Sequence, residues 1–143
     1  DIDVVYIYKS CDNKYAKKIR DFHKSTIDIV LSENIYYSDF PRWKEYFSLN
    51  HIVCGTIDRF PKNEKIILSK NDLKSLCAVP IYTPIGFWGF IGFDSYINKK
   101  EWTYDEEQLL KIAASIIGGE IYKWSLRNEH IKTENIKPKC INY

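Results

Sequence analysis

The sequence predicts an α/β (α+β) domain built round a buried antiparallel hairpin. Three observations carry that prediction. Ser75 to Phe93 is a run of nineteen uncharged residues in a chain that is 28% charged. Within it, Thr83-Pro84-Ile85-Gly86 has proline at the second and glycine at the fourth turn position, the type I signature. From Thr103 onward, apolar residues recur at helical spacing over more than twenty residues. The uncharged run is long enough to suggest a membrane span, but Pro80, Pro84, Gly86, Gly89 and Gly92 are poor helix residues. A turn between two apolar, aromatic-rich arms reads instead as a β-hairpin. Leu76, Ala78 and Tyr82 alternate with Cys77, Val79 and Ile81. Phe87, Ile91 and Phe93 alternate with Trp88 and Phe90. Strands apolar on both faces belong inside a sheet that is covered on both sides.

The remaining elements follow in chain order. Asp1 to Tyr8, with Val4, Val5 and Ile7, reads as a first strand, and Lys9 to Asn13 as a polar turn. Tyr15 to Ile29 fits either a helix, through Ile19, Phe22 and Thr26, or an outer strand, and a strand is expected from the resemblance given below. Ser32 to Asp39 reads as a loop. Pro41 opens a short helix whose aromatic face is Trp43, Tyr46 and Phe47, with Asp39 as the candidate cap. His51 to Gly55 is a short strand, Asp58 to Pro61 a turn, and Asn63 to Ser69 a short helix.

Thr103 and Glu106 form a capping box, and Asp105, Glu106 and Glu107 suit a helix N-terminus. That accounts for the acidic cluster without acid–base chemistry. The helix is apolar nearly all round, so more than one face is expected to be covered, with Leu109, Ala113, Ile116 and Ile117 packing inward. It is expected to run through Gly118-Gly119 to about Asn128. The domain is assigned residues 1–128, and 129–143 a linker or tail.

Composition excludes several classes. The chain has 143 residues, enough for one domain with a real core. A net charge of +2 without a basic cluster gives no footprint for nucleic acid, and no span or membrane contact is expected. The chain holds no methionine, so it is expected either to be a piece of a longer protein or to lack its leader. Cys11, Cys54, Cys77 and Cys140 form no CxxC motif. They are expected to be free thiols in a cytoplasmic setting. His51 and Cys54, three apart on a strand, point to opposite faces and do not suit a shared metal. Gly86, Gly89 and Gly92 lie on a strand and make no phosphate loop.

At the residue level the chain resembles a GAF domain, most of all those of bacterial and archaeal sensor histidine kinases that combine PAS and GAF modules. The matching residues are Pro41-Arg42-Trp43, Phe60-Pro61, Leu73 to Leu76 leading to Val79-Pro80-Ile81, Phe87 to Asp94, Trp102, Glu107 and Ala113 to Gly118. The resemblance covers residues 1 to about 126. It implies a GAF/profilin-like sheet of five or six antiparallel strands, with the long C-terminal helix on one face and short helices and loops on the other. It also implies a sensory or regulatory module, relaying binding of a small molecule or a conformational change through a homodimer of that helix. Two family features are missing: a helix before the first strand, and the kinase parts themselves. His130 does not match a phosphoacceptor motif.

No catalytic residue is expected. The expected ligand site lies on the sheet face opposite the long helix, with Phe40, Trp43, Trp88 and Phe90 as candidates, because an apolar site with few polar groups suits a small molecule. Alternation leaves open which hairpin face lines it. No bilin is expected, since no cysteine is followed by histidine, and no metal or haem, since only His51 lies near the centre. The Asn-Lys-Phe-Asp-Glu signature of cyclic-nucleotide GAF domains is absent. Two alternatives stand beside this reading. One is a ligand-free dimerisation spacer. The other is a free methionine sulfoxide reductase-like enzyme, suggested by Cys54-Gly55, although Leu68-Ser69 stand near where its partner cysteine belongs.

Overall fold

The computed structural model describes residues 1–131, with 130 and 131 described by backbone alone. Residues 129–131 of the expected linker or tail continue α3 instead, and the rest, from 132 onward, lies outside the described residues. Six strands form one antiparallel sheet: β1 Val4–Cys11, β2 Tyr15–His23, β3 Asn34–Tyr36, β4 Val53–Thr56, β5 Ser75–Thr83 and β6 Gly86–Ser95. Their order is β3-β2-β1-β6-β5-β4. The uncharged hairpin therefore supplies two interior strands, as its two apolar faces require. Among the described residues, three α-helices complete the domain: α1 Pro41–Ser48, α2 Lys62–Leu68 and α3 Tyr104–Ile131.

The β1–β2 turn falls at Asp12 and Asn13, with φ of 52° and 57°. These residue types tolerate the left-handed region, so β1 runs on to Cys11, past the expected end at Tyr8. The ambiguous segment after Tyr15 is a strand. The Ser32–Asp39 loop contains β3, whose three residues are too few to show a period. Asp39 does not cap α1. The N-cap is Phe40, without a side-chain cap bond. The capping box of α3 forms as expected. Thr103 N–H donates to Glu106 Oε1 at 2.9 Å, and Glu106 N–H to Thr103 Oγ1 at 3.2 Å.

Each sheet face has its own core. One face carries Val4, Tyr6, Tyr8, Leu76, Ala78 and Phe90 under α1, α2 and the loops. The other carries Cys77, Val79, Ile81 and Ile91 under α3. The inward residues of α3 are Leu110, Ala114, Ile117 and Ile121, which corrects the expected set. Leu109, Ile112 and Ile116 point to solvent and are more than half exposed. A helix apolar on most sides carries no phase in its sequence, so its rotation is set by the sheet. Gly118 decides it. A Cβ there would sit on the Tyr82 carbonyl oxygen, so only glycine lets α3 come this close to β5.

Candidate functional site: a half-open cavity under the aromatic face

A cavity of about 180 Å³ lies between the sheet and the loop layer, on the face opposite α3. Its floor comes from β1, β5 and β6, through Tyr6, Tyr8, Leu76 and Asp94. Its walls come from Val30–Tyr36, the start of α1, the end of α2 and Leu73. Alternation along β1 points Tyr6 and Tyr8 to one face. Tyr6 lies over Gly92, where a Cβ would meet its ring. Tyr8 stacks on Phe90 at 5.4 Å between centroids, and its hydroxyl donates to the Ser32 carbonyl at 2.5 Å. That bond ties the wall to the floor.

Aromatic packing continues outward. Trp43 meets Phe40 at 4.9 Å and Phe90 at 6.1 Å, and Phe47 lies 5.0 Å from Phe90. Trp43 is held by Glu64 of α2. The fully buried Glu64 carboxylate accepts from Trp43 Nε1 at 2.8 Å and from Arg42 Nε and Nη2, also at 2.8 Å. A buried carboxylate is stable only with its lone pairs occupied and a countercharge beside it, and both conditions are met. Helices α1 and α2 are clamped together as the outer wall.

The polar groups in this apolar setting are few. Asp94 is 3% exposed. Its Oδ1 accepts from the Tyr6 hydroxyl at 2.9 Å and its Oδ2 from the Tyr96 hydroxyl at 3.2 Å. Burial pushes its pKa up to about 7, against the two phenols, which pull it down. Burial and the adjacent carboxylate push both phenols well above the usual tyrosine range. Asp3 anchors the strand just beyond, its Oδ2 accepting from Tyr96 and Ile97 N–H at 2.7 and 3.0 Å. Asn34 also lines the cavity, and its buried Oδ1 has no hydrogen-bond partner. An unpaired buried acceptor is costly, so this oxygen suits a donor arriving with a ligand. A larger hollow of about 810 Å³ between β2, β3 and α1 is open to solvent.

The four candidates separate. Phe40 and Trp43 line the cavity, and Phe90 packs behind it against Tyr8 and Trp43. Trp88 lies on the other face, under α3. The cause is a bulge. Ile81 pairs with Gly89 but Tyr82 pairs with Phe87, which leaves Trp88 unopposed. An extra residue shifts the alternation by one, so Trp88 and Phe90 part company. Sequence reasoning missed Tyr6, Tyr8, Asn34 and Asp94. Alternation in Val4–Tyr8 signals the tyrosines. Asp94, the first charge after nineteen uncharged residues, reads as a strand end when it is in fact a buried carboxyl. Among the described residues, no cluster of three or more His, Cys, Asp or Glu could hold a metal ion.

No family model matches the chain. Solved structures do. The phycocyanobilin-bound GAF domain from a cyanobacterial phytochrome superposes with a TM-score of 0.78 at 15% identity, covering 88% of this chain and 78% of that one. The photoproduct state of GAF3 from Slr1393 of Synechocystis sp. PCC6803 gives 0.77 at 14%, covering 92% and 89%. This chain has the fold of a GAF domain. The far-red absorbing dark state of JSC1_58120g3 with bound biliverdin IXa gives 0.71 at 18% identity, over 82% of this chain and 77% of that one. Among curated proteins, the methanogenesis regulatory histidine kinase FilI of Methanothrix harundinacea (strain 6Ac) is 29% identical over 105 residues. The match covers 73% of this chain but 12% of that protein, so the GAF-fold chain spans a small part of its relative.

These neighbours overturn the expectation of no bilin. Solved GAF domains of this shape hold biliverdin or phycocyanobilin. A missing Cys-His pair bears on one mode of covalent attachment. It says nothing about a cavity on the sheet, which this GAF fold has.

Proposed function

We propose that this GAF-fold domain is the sensory module of a signal-transduction protein of the histidine-kinase kind, acting in the cytoplasm. It binds a small organic molecule in the cavity over β1 and β6 and relays the change through the sheet to α3. The observation that carries this reading is the half-open cavity, where a buried carboxyl and an unpaired amide oxygen sit among tyrosine and tryptophan rings. A mostly apolar cavity with a few convergent polar groups is the usual form of a ligand site. The relationship to a histidine kinase and the fold shared with chromophore-bearing domains support a sensory role and make bilins the first ligand class to test. The domain itself carries no step of catalysis in this reading. Cys54, the residue behind the reductase alternative, lies on the α3 face and does not line the cavity.

Output through α3 calls for a partner surface. Leu109, Ile112 and Ile116 are 65%, 58% and 63% exposed at i, i+3, i+7 spacing, the pattern of a helix seam. A second copy, pairing helix to helix, is the occupant in this proposal.

Purified protein is incubated separately with biliverdin, with phycocyanobilin and with a panel of single-ring metabolites, then followed by absorbance and thermal unfolding. A ligand present at a hundred times its Kd stabilises the folded state by about 2.7 kcal/mol. A binder whose effect is lost in Asn34→Leu but kept in the surface variant Ile66→Lys supports the assignment. Equal binding by both variants would place the ligand elsewhere.

A further inference from the structure

Beneath α3, on the face away from the cavity, two cysteines stand opposite one another. Cys54 of β4 and Cys77 of β5 are register partners, and both are free thiols as expected, whereas Cys11 is disulfide-bonded, against the expectation. The two thiols are close enough that Cys77 raises the pKa of Cys54. Opposite residues in an antiparallel ladder alternate between hydrogen-bonded and narrower non-hydrogen-bonded pairs, with Cα separations of about 5.5 and 4.5 Å. Ile57 N–H donates to the Lys74 carbonyl at 2.9 Å, while Lys74 N–H turns to the Ser95 carbonyl, so this position keeps one of the two bonds of a hydrogen-bonded pair. Counting back through the register in steps of two, Gly55–Leu76 and Val53–Ala78 are hydrogen-bonded pairs. Thr56–Ser75 and Cys54–Cys77 are then narrow pairs. The separation of a narrow pair falls within the disulfide range of about 4.4–6.8 Å. We infer that Cys54 and Cys77 are an oxidative modification site that closes to a cross-strand disulfide, fastening edge strand β4 to β5 under α3.

Access differs between the two sulfurs. β4 is the sheet edge and Cys54 is half-buried, whereas Cys77 is fully buried. Cys54 is therefore the entry point and Cys77 the resolving partner. With hydrogen peroxide as oxidant, the Cys54 thiolate attacks one peroxide oxygen. The O–O bond breaks, an S–O bond forms, and hydroxide leaves to become water. Cys77 then attacks the Cys54 sulfenic sulfur, forming the S–S bond and releasing a second water. Two thiols lose two electrons and the peroxide gains them. The neighbouring Cys77 thiol, then burial, raises the pKa of Cys54 and holds it in its thiol form. Glu107 and Glu106 of α3 act in the same direction. Closure is accordingly slow at neutral pH and faster as pH rises, because the thiolate is the attacking species. The pair answers sustained oxidant rather than a brief pulse. The consequence reaches α3, because Cys54 and Cys77 belong to the core that also holds Leu110, Ala114 and Ile117.

The test uses the whole chain with Cys11→Ser and Cys140→Ser, reduced and then treated with hydrogen peroxide at pH 7 and pH 9. The expected result is a thiol titre falling to zero with a mass loss of about 2 Da. Closure should be faster at pH 9, and dithiothreitol should restore both thiols. Adding Cys77→Ser abolishes closure and leaves Cys54 as an oxygen adduct. Should the double variant fail to fold, non-reducing peptide mapping of the unsubstituted chain reads the same bond, as a linked peptide pair holding Cys54 and Cys77. Two thiols persisting, or oxygen addition at Cys54 without linkage, would overturn the inference.

Discussion

Glu64 is the residue whose loss the wall of the cavity tolerates least. It sits at the junction of α1 and α2 with both oxygens engaged. Glu64→Gln keeps an acceptor for Trp43 but leaves the Arg42 guanidinium without its countercharge in a largely buried site. Breaking such a pair costs about 3 kcal/mol, and urea unfolding of the two proteins should show that difference. A loss below about 1 kcal/mol, the value of a surface pair, would mean that water replaces the carboxylate. Asp94 makes a prediction of opposite kind. Burial raises its pKa from 3.8 to about 7, so the folded state binds the proton more tightly than the unfolded state. Its contribution is fully present below pH 3.8 and is lost as pH rises towards 7. Stability therefore falls across that window, by at most about 1.4 kcal/mol per pH unit from this group. Asp94→Asn removes the slope. Asp3 and Asp21, whose pKa values are lowered, act with opposite sign in both proteins, so the comparison between parent and variant isolates Asp94.

At the scale of elements, α3 and β5 meet through a single missing methyl group. Gly118 and Gly119 are neighbours of the same type with opposite roles. A Cβ at 118 would strike the Tyr82 carbonyl oxygen, whereas one at 119 meets nothing within 4 Å. Helix propensity alone favours alanine at either site by about 1 kcal/mol. Gly119→Ala should gain most of that. Gly118→Ala should lose stability despite the better propensity, because α3 must move away from the sheet and surrender contacts along Ala114, Ile117 and Ile121. Chemical denaturation of both variants checks the sign. Two variants that shift in the same direction would show that α3 slides without cost. The bulge at Trp88 is the other feature of this scale. One extra residue on β6 divides the hairpin aromatics between the two cores and places Trp88 where the helix covers it.

For the whole molecule, the open question is the outer face of α3. A monomer leaves Leu109, Ile112 and Ile116 in water, and a specific pairing is expected to bury at least about 1,000 Å² in total. Light scattering during gel filtration should report a dimer at tens of micromolar. Ile112→Asp with Ile116→Asp should return a folded monomer whose melting temperature no longer depends on protein concentration, since both side chains are exposed in the single chain. A monomer before substitution would remove the seam proposal for this chain and leave the cavity proposal standing. No helix among the described residues is long and apolar enough to cross a membrane.

The hairpin, the capping box and the start of α3 were determined by the sequence alone, because each rests on neighbours in the chain. Charge is absent from Ser75 to Phe93, a turn divides that run, and Thr103 and Glu106 lie three apart. Strand β3 was not legible, since three residues hold no period. Face assignments were not legible either. Alternation divides side chains into two sets, but a single unopposed residue at Trp88 exchanged them. An all-round apolar helix gave no rotation until Gly118 met Tyr82. The candidate site was legible in its aromatic wall at Phe40 and Trp43. Its polar centre at Asp94, Tyr6 and Tyr96 was not. Tyr6 and Asp94 are 88 positions apart, and only the pairing of β1 with β6 brings the phenol to the carboxylate. Burial of that carboxyl is a property of the assembled sheet, and no local stretch of the chain encodes it.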